Sequence, residues 1–457
     1  MQRLFYQPLP HLVLIFACVL TVYANSLHGS FQYDDFNVIV DEPRVHSWSA
    51  WLASMPGIRP LLKASYVFSW TTGSVVGFHL FNLACHLLNA LLVYVLGRLF
   101  FAGYSTLSDD RINLAALLAA LLFALHPANT EAVTYISGRS LSLTASFYLA
   151  ALTAYLYGKQ KTWLRWLALW LFALALGVKE VAVTLPFALW LWQADGSARL
   201  ARLWPFFALL GAVALVLLLT PVYDAVVFHS FSYRSLQDNL SPAMAGVAYL
   251  FKTLLWPMHL SIDPAIDVRS TGSPVPFIQF AVIVLLAGLA AWRIRRRPGA
   301  LKILAFALLW FFLHLLPTHS LIPRLDPAND RHLYLAAIGP CFALAYVLTA
   351  PGMMSRALAG SLAVTLLTVL AGLTLMRNEA YRSEISLWQA AAHVSPNKPR
   401  VQNNLGYALA LQGRYAEAER AYRYALQEDP NFSKAKENLL ILQSQTKETR
   451  RAAIAEH

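Results

Sequence analysis

Apolar runs of about 15 to 25 residues follow one another along most of this chain, and a helix needs about 20 such residues to cross a bilayer. They fall at about 9–25, 78–102, 112–126, 141–157, 163–178, 180–193, 202–222, 243–257, 276–292, 301–316, 333–350 and 357–376. Hydrophobic residues are 58% of the 457 residues and charged residues 13%, with a mean hydropathy of +0.49. A soluble core of this length needs less. The runs do not read as the alternating strands of a membrane barrel. The expected fold class is all-α and polytopic. Ala24-Asn25-Ser26 is a weak cleavage site, so the first run reads as a retained helix.

The net charge of +12 comes mostly from basic residues in the connectors, as membrane topology requires. No nucleic-acid partner is expected. The basic connectors at 158–165, 195–202 and 292–302 should all face the cytoplasm. That holds only if one run between 202 and 292 does not cross, and the run at 243–257 is short and carries Lys252. It is assigned to a re-entrant or interfacial helix. About eleven crossings remain, with the N-terminus cytoplasmic and the C-terminus on the opposite face. The polar segments 26–77, 126–140, the Lys179-Glu180 turn, 223–275 and 317–332 then share the non-cytoplasmic face. Cys18, Cys85 and Cys341 lie inside apolar runs and offer no disulfide framework or zinc spacing.

After Met376 the composition turns polar, dividing the chain into a membrane domain over 1–376 and a repeat region with a polar tail over 377–457. Residues 403–430 carry the tetratricopeptide pattern: Leu405, Gly406 and Tyr407, a turn at Gly413, then Ala418, Tyr422, Ala425 and Pro430. Ser395-Pro396-Asn397 recurs as Asp429-Pro430-Asn431, and Tyr381 and Ala391 precede Tyr415 and Ala425 by the same interval. A helix over about 380–394, one full repeat and the start of a third over about 431–445 are expected. A short α-solenoid of this kind suits a polypeptide partner, and otherwise serves as a structural cap.

The candidate residues are the charged groups at the ends of the runs, where ionisable side chains are costly and default to function. Asp34 and Asp35 adjoin the exit of the first run, followed by Trp48 and Trp51 at the interface and by Arg59 and Lys63. By themselves two aspartates there read as a solvated loop or a helix cap. His126, Glu131 and Arg139 lie in LHPANTEAVTYISGRS, and the planar fork of Arg139 suits a phosphate; the competing reading is an arginine reaching for the interface. Lys179 and Glu180 form a tight turn, read either as a local ion pair or as part of a site. Asp330, Arg331 and His332 start another run, where helix N–H groups could help an arginine hold an anion. No histidine has metal-ligand spacing, so no zinc is expected. His79, Asn82, His86 and Asn89 form a polar stripe at steps of three and four, expected to hydrogen-bond between helices, with a ligand groove as the alternative.

The ordered set Asp34-Asp35, RPL, FHLFNLACHLLNALLVY, HPANTEAVTYISGR, the KE turn, DRHLYLAAIG and a repeat resembles the transmembrane and tetratricopeptide-repeat-containing O-mannosyltransferases. These are GT-C glycosyltransferases. The likeness covers nearly the whole chain. Two departures stand out: about one complete repeat instead of a long array, and DRHLY where a Glu-Arg pair is more usual. They point to a bacterial relative with its site on the periplasmic face of the inner membrane.

The resemblance implies transfer from a polyprenyl-phosphate-sugar to an acceptor hydroxyl with inversion, the acceptor being a protein engaged through the repeat. Asp35, or its neighbour Asp34, would be the base. Arg139, Lys179 and Arg331, with Arg59 second, would hold the phosphate. His126, Glu131, Glu180 and His332 would support them. No cofactor is implied; the carboxylate pair leaves a divalent ion as an alternative. The rival reading from another class is a non-catalytic membrane scaffold whose repeat recruits a partner.

Overall fold

A computed structural model describes residues 9–55, 57–158, 161–192, 199–219, 235–266, 268, 273–294, 299–319 and 323–455. Among them every regular element is a helix. Lys159, Arg295, Arg296 and Arg297, which carried much of the sidedness reading, lie outside the described set.

Four helices are long and apolar enough to cross a membrane: Leu9–His28, Val75–Tyr104, Val275–Arg293 and Arg356–Ala380. Two bent pairs raise the number to six: Asp109–Ala124 with Pro127–Val133, at 52°, and Asp330–Ala336 with Ile338–Thr349, at 61°. Beside them stand the shorter apolar helices Thr162–Val178, Glu180–Trp192, Arg202–Leu218 and Ala300–Leu315. Length and hydropathy therefore mark fewer spans than the eleven expected from apolar runs. The run at 141–157 shows one reason. Its helix, Arg139–Tyr157, buries Ser140, Ser142, Thr144 and Ser146 against protein instead of offering lipid an apolar surface. The helix Leu236–Leu255, expected not to cross, is absent from the candidate spans.

The main core gathers the apolar faces of the first span, the Val75–Tyr104 and Asp109–Ala124 hairpin, the Arg139–Tyr157 helix and the Ala300–Leu315 helix. Phe100 anchors an aromatic stack with Phe342, Phe306 and Trp192. The polar stripe lies inside, as its spacing predicts. His79 meets the Gly29 carbonyl, Asn82 donates to the Val133 carbonyl, His86 meets Tyr334 and the Ala124 carbonyl, and Asn89 donates to the Ser142 carbonyl.

The helix breaks place the site. Pro127 lacks an N–H and pushes its predecessor toward extended backbone; His126 has ψ 122° and its Nδ1 accepts from the Ala128 N–H at 3.2 Å. The Asp109–Ala124 helix therefore stops, and Glu131 is carried sideways on the next turn. The Asp330–His332 turn does the same for Arg331 across the bundle. The two bends bring Glu131 and Arg331 together.

In the repeat region, the helices Glu384–Val394, Pro399–Leu411, Tyr415–Glu428 and Ser433–Ala455 follow the expected order. Asp263, 3% exposed, binds both Lys398 and Arg400, and Arg400 also pairs with Asp326. These pairs tie the repeat to the loops at the same end of the bundle as Asp34.

Candidate active site

The segment 29–41 leaves the first helix and turns back over the bundle end. Asp35 points inward. Its Oδ2 accepts the Gln32 N–H at 3.0 Å, and its Oδ1 accepts the Ser137 N–H at 2.8 Å together with the Ser137 hydroxyl. The side chain is 1% exposed, and burial pushes its carboxyl up to about 7 against the pull of those hydrogen bonds. Asp35 thus stitches its loop to the Ile136–Gly138 turn. Gly138 completes that turn, because a Cβ there would stand 1.9 Å from the Glu131 carbonyl oxygen.

Asp34 points the other way and is half-buried. Its N–H donates to the Tyr135 hydroxyl at 3.1 Å. Burial raises its proton affinity, the Arg331 guanidinium lowers it, Asp326 raises it and Arg400 lowers it. Asp34 therefore lies in the field of charges from two distant parts of the chain, 326–331 and Arg400.

Arg331 is the cation nearest the centre of this arrangement. Its N–H donates to Glu131 Oε2 at 3.0 Å, and Nη1 lies 3.4 Å from Glu131 Oε1. The arginine side chain is 18% exposed and the glutamate 1%. Arg331 Nε is buried without a hydrogen-bond partner. Lys179 sits in extended backbone between two helices, buried, with its Nζ donating to Ser140 Oγ at 3.1 Å. Burial, reinforced by Arg59, Arg331 and Arg324, drives its amine well below the usual lysine range. Lys179 and Glu180 do not pair locally as a hairpin. Glu180 instead takes Arg59 in a two-pronged pair at 3.0 and 2.8 Å.

Arg139 occupies a different place. It is fully buried, and its guanidinium is spent on Asn82 Oδ1 at 2.6 Å, the Ser65 carbonyl at 2.7 Å and the Phe78 carbonyl at 2.9 Å. The rings of Tyr66, Phe78 and Phe81 surround it. Every guanidinium nitrogen is engaged by a protein acceptor, and the side chain has no exposed surface to offer a ligand. His126 is also internal, with Nε2 against the Leu254 carbonyl at 3.1 Å. His332 is buried edge-on to His319, with ring centroids 5.1 Å apart, and its Nε2 has no hydrogen-bond partner.

The structure thus brings Asp34, Glu131, Lys179, Arg331 and His332 to one end of the bundle, with Arg59 and Glu180 at its edge. It turns Asp35, Arg139 and His126 to internal duties. It adds groups that the motifs did not mark: Tyr135 on Asp34, Arg324 within the field of Lys179, and Arg377, which caps the Tyr381 ring. Arg324 lies six residues before Asp330 in a proline-rich connector, and Arg377 ends the last apolar run; each was visible as a charge at a span boundary.

Tyr33 and Arg59 are the two non-glycine residues with positive φ among the described residues, at 49° and 52°. A left-handed backbone costs a bulky residue about 1–2 kcal/mol, so its surroundings must hold it there. Both flank this site. Among the described residues, no three His, Cys, Asp or Glu side chains converge as a metal-ligand set.

Comparison with known proteins finds a tetratricopeptide repeat at residues 399–432. Over most of its length the chain is similar to proteins named protein O-mannosyl-transferases. F38B6.6 of Caenorhabditis elegans is 24% identical over 93% of this chain and 64% of its own length. TMTC3 of Mus musculus is 25% identical over 91% and 50%, and Tmtc3 of Drosophila melanogaster 26% over 90% and 54%. The chain spans between half and two-thirds of the length of these relatives. No solved structure matches. These relatives are thus proteins named protein O-mannosyl-transferases, TMTC3 among them, matched over about nine-tenths of this chain.

Proposed function

We propose that this chain is a membrane glycosyltransferase, moving a sugar from a polyprenyl-phosphate-sugar to a hydroxyl of an acceptor protein with inversion at C1. The observation that carries the reading is the half-buried Asp34 within the field of Arg331, itself held by Glu131 at 3.0 Å, and the buried Lys179 within the field of the same arginine. Like charges held together out of water favour an anion between them. A lipid phosphate supplies that anion.

The chemistry requires one base and a set of cations. The acceptor hydroxyl gives its proton to Asp34 as its oxygen forms the bond to C1. The C1–O bond to the phosphate breaks, and the phosphate leaves with the electron pair, stabilised by Arg331 and Lys179, with Arg59 at the rim. Fixed cations in a water-poor site act strongly on charge that develops in the transition state. Glu131 holds Arg331, and Asp35 holds the loop that carries Asp34. Arg139 braces helices and is not assigned to the phosphate. The same reading puts the site and the repeat on the non-cytoplasmic face, in a bacterial inner membrane with the N-terminus cytoplasmic and about eleven crossings, and gives the repeat a part in acceptor binding.

The test is transfer by the purified protein in lipid, with polyprenyl-phosphate-mannose as first donor and serine- and threonine-containing peptides as acceptors. Asp34→Asn is expected to lower kcat by about 100- to 10,000-fold, the range for loss of a general base, with donor binding retained. Turnover by Asp34→Asn within tenfold of the parent would overturn the assignment of the base.

A further inference from the structure

The loop that carries Asp34 rests on the chain that follows the last transmembrane helix. The Ser30 N–H donates to the Arg382 carbonyl at 3.3 Å, and the Gln32 side-chain amide donates to the Tyr381 carbonyl. Gly29 lies so close to this segment that a Cβ would stand 2.8 Å from the Tyr381 oxygen. The Tyr33 N–H donates to Glu384 Oε2 at 2.8 Å. Trp388 sends its indole N–H to the other oxygen, Glu384 Oε1, at 2.6 Å, and meets the Tyr33 ring edge-on with centroids 5.1 Å apart.

Glu384 therefore grips the backbone of the left-handed residue that immediately precedes Asp34, and Trp388 fixes both Glu384 and the Tyr33 ring. Glu384 opens the first helix of the repeat region, and Ser383 and Ser386 cap that helix reciprocally. Such a held φ persists only where its surroundings over-determine it.

We infer that Glu384, oriented by Trp388, is a positioning residue that aims Asp34, so that the first repeat helix is a working part of the catalytic site as well as a docking element. The inference rests on the proposed transferase reading for its consequence, but the mechanical coupling can be read without turnover. A displacement of about 1 Å at a reacting group is enough to cost on the order of 100-fold in rate.

Two variants grade the loss of hydrogen bonding. Glu384→Ala removes the acceptors for both the Tyr33 N–H and the Trp388 indole N–H, whereas Glu384→Gln keeps one oxygen for one of these donors and turns its NH2 against the other. Glu384→Ala is expected to lower kcat by about 30- to 100-fold, with KM for donor and acceptor within about threefold of the parent and faster amide hydrogen exchange over 30–36. Glu384→Gln, with one acceptor in place of two, is expected to fall between Glu384→Ala and the parent in both rate and exchange protection. A rise in acceptor KM at unchanged kcat would reduce Glu384 to a docking residue. Unaltered exchange over 30–36 in Glu384→Ala would remove the coupling altogether. Should the parent protein transfer no sugar, the transferase reading falls, while the exchange measurement still decides whether Glu384 holds the loop.

Discussion

Adjacent residues in one loop have opposite surroundings. Asp35 is enclosed by donors from Gln32 and Ser137, while Asp34 donates its N–H to Tyr135 and lies in the field of Arg331 and Asp326. This makes stability depend on pH in a definite sense. The Asp35 carboxyl binds its proton more tightly folded, at about 7, than at its ordinary 3.8, so between those values the folded state carries the extra proton. Its contribution to stability is complete below about 3.8 and is lost as pH rises through about 7. Asp35→Asn should flatten the fall in thermal midpoint across that window, which unfolding of the detergent-solubilised protein at a series of pH values would show. The variant should also lower the midpoint throughout, because the asparagine NH2 would face either the Gln32 N–H or the Ser137 N–H. The sequence marked the pair as costly charges at a span exit, but not which of the two turns inward. That choice depends on Ser137, about a hundred residues away, which no local spacing reports.

Helices at this site owe their positions to the places where they stop. Pro127 ends one helix legibly, and the steps from His79 to Asn89 announced a stripe of interhelical hydrogen bonds that the structure contains. Arg139 and Arg331 looked alike in the sequence, each an arginine opening a helix after a polar motif. Packing separates them. Arg139 knots three helices, Pro60–Trp70, Val75–Tyr104 and its own, through Ser65, Phe78 and Asn82. Replacing it strands buried acceptors, at about 1–3 kcal/mol each, and opens a void. Arg139→Gln is therefore expected to destabilise the protein by about 3 kcal/mol or more, seen as a large drop in thermal midpoint and in yield. The donor KM of whatever folds should match the parent. A raised donor KM with a parental midpoint would return Arg139 to the phosphate.

At the scale of the whole molecule, sidedness orders everything else. If the repeat and the Asp34 loop share the non-cytoplasmic face, a cysteine placed at the exposed Ala416 should react with a membrane-impermeant maleimide in intact cells. One at exposed Asp110, on the far end of the Asp109–Ala124 helix, should react only after permeabilisation. The reverse pattern would invert the topology. The apolar helices and the repeat that follows them were readable from composition and period. Crossing number was less so: helices such as Arg139–Tyr157 are dissolved in protein as much as in lipid, and their buried serines and threonines lower the hydropathy that counting relies on. The contact between Tyr33 and Glu384 spans 351 positions of sequence. A chain still emerging from the ribosome has made its carboxylate long before it has made the residue that aims it, so on this reading a partly synthesised copy is held inactive, and glycosylation can begin only when the final membrane helix has been delivered and the first repeat helix has closed over the loop.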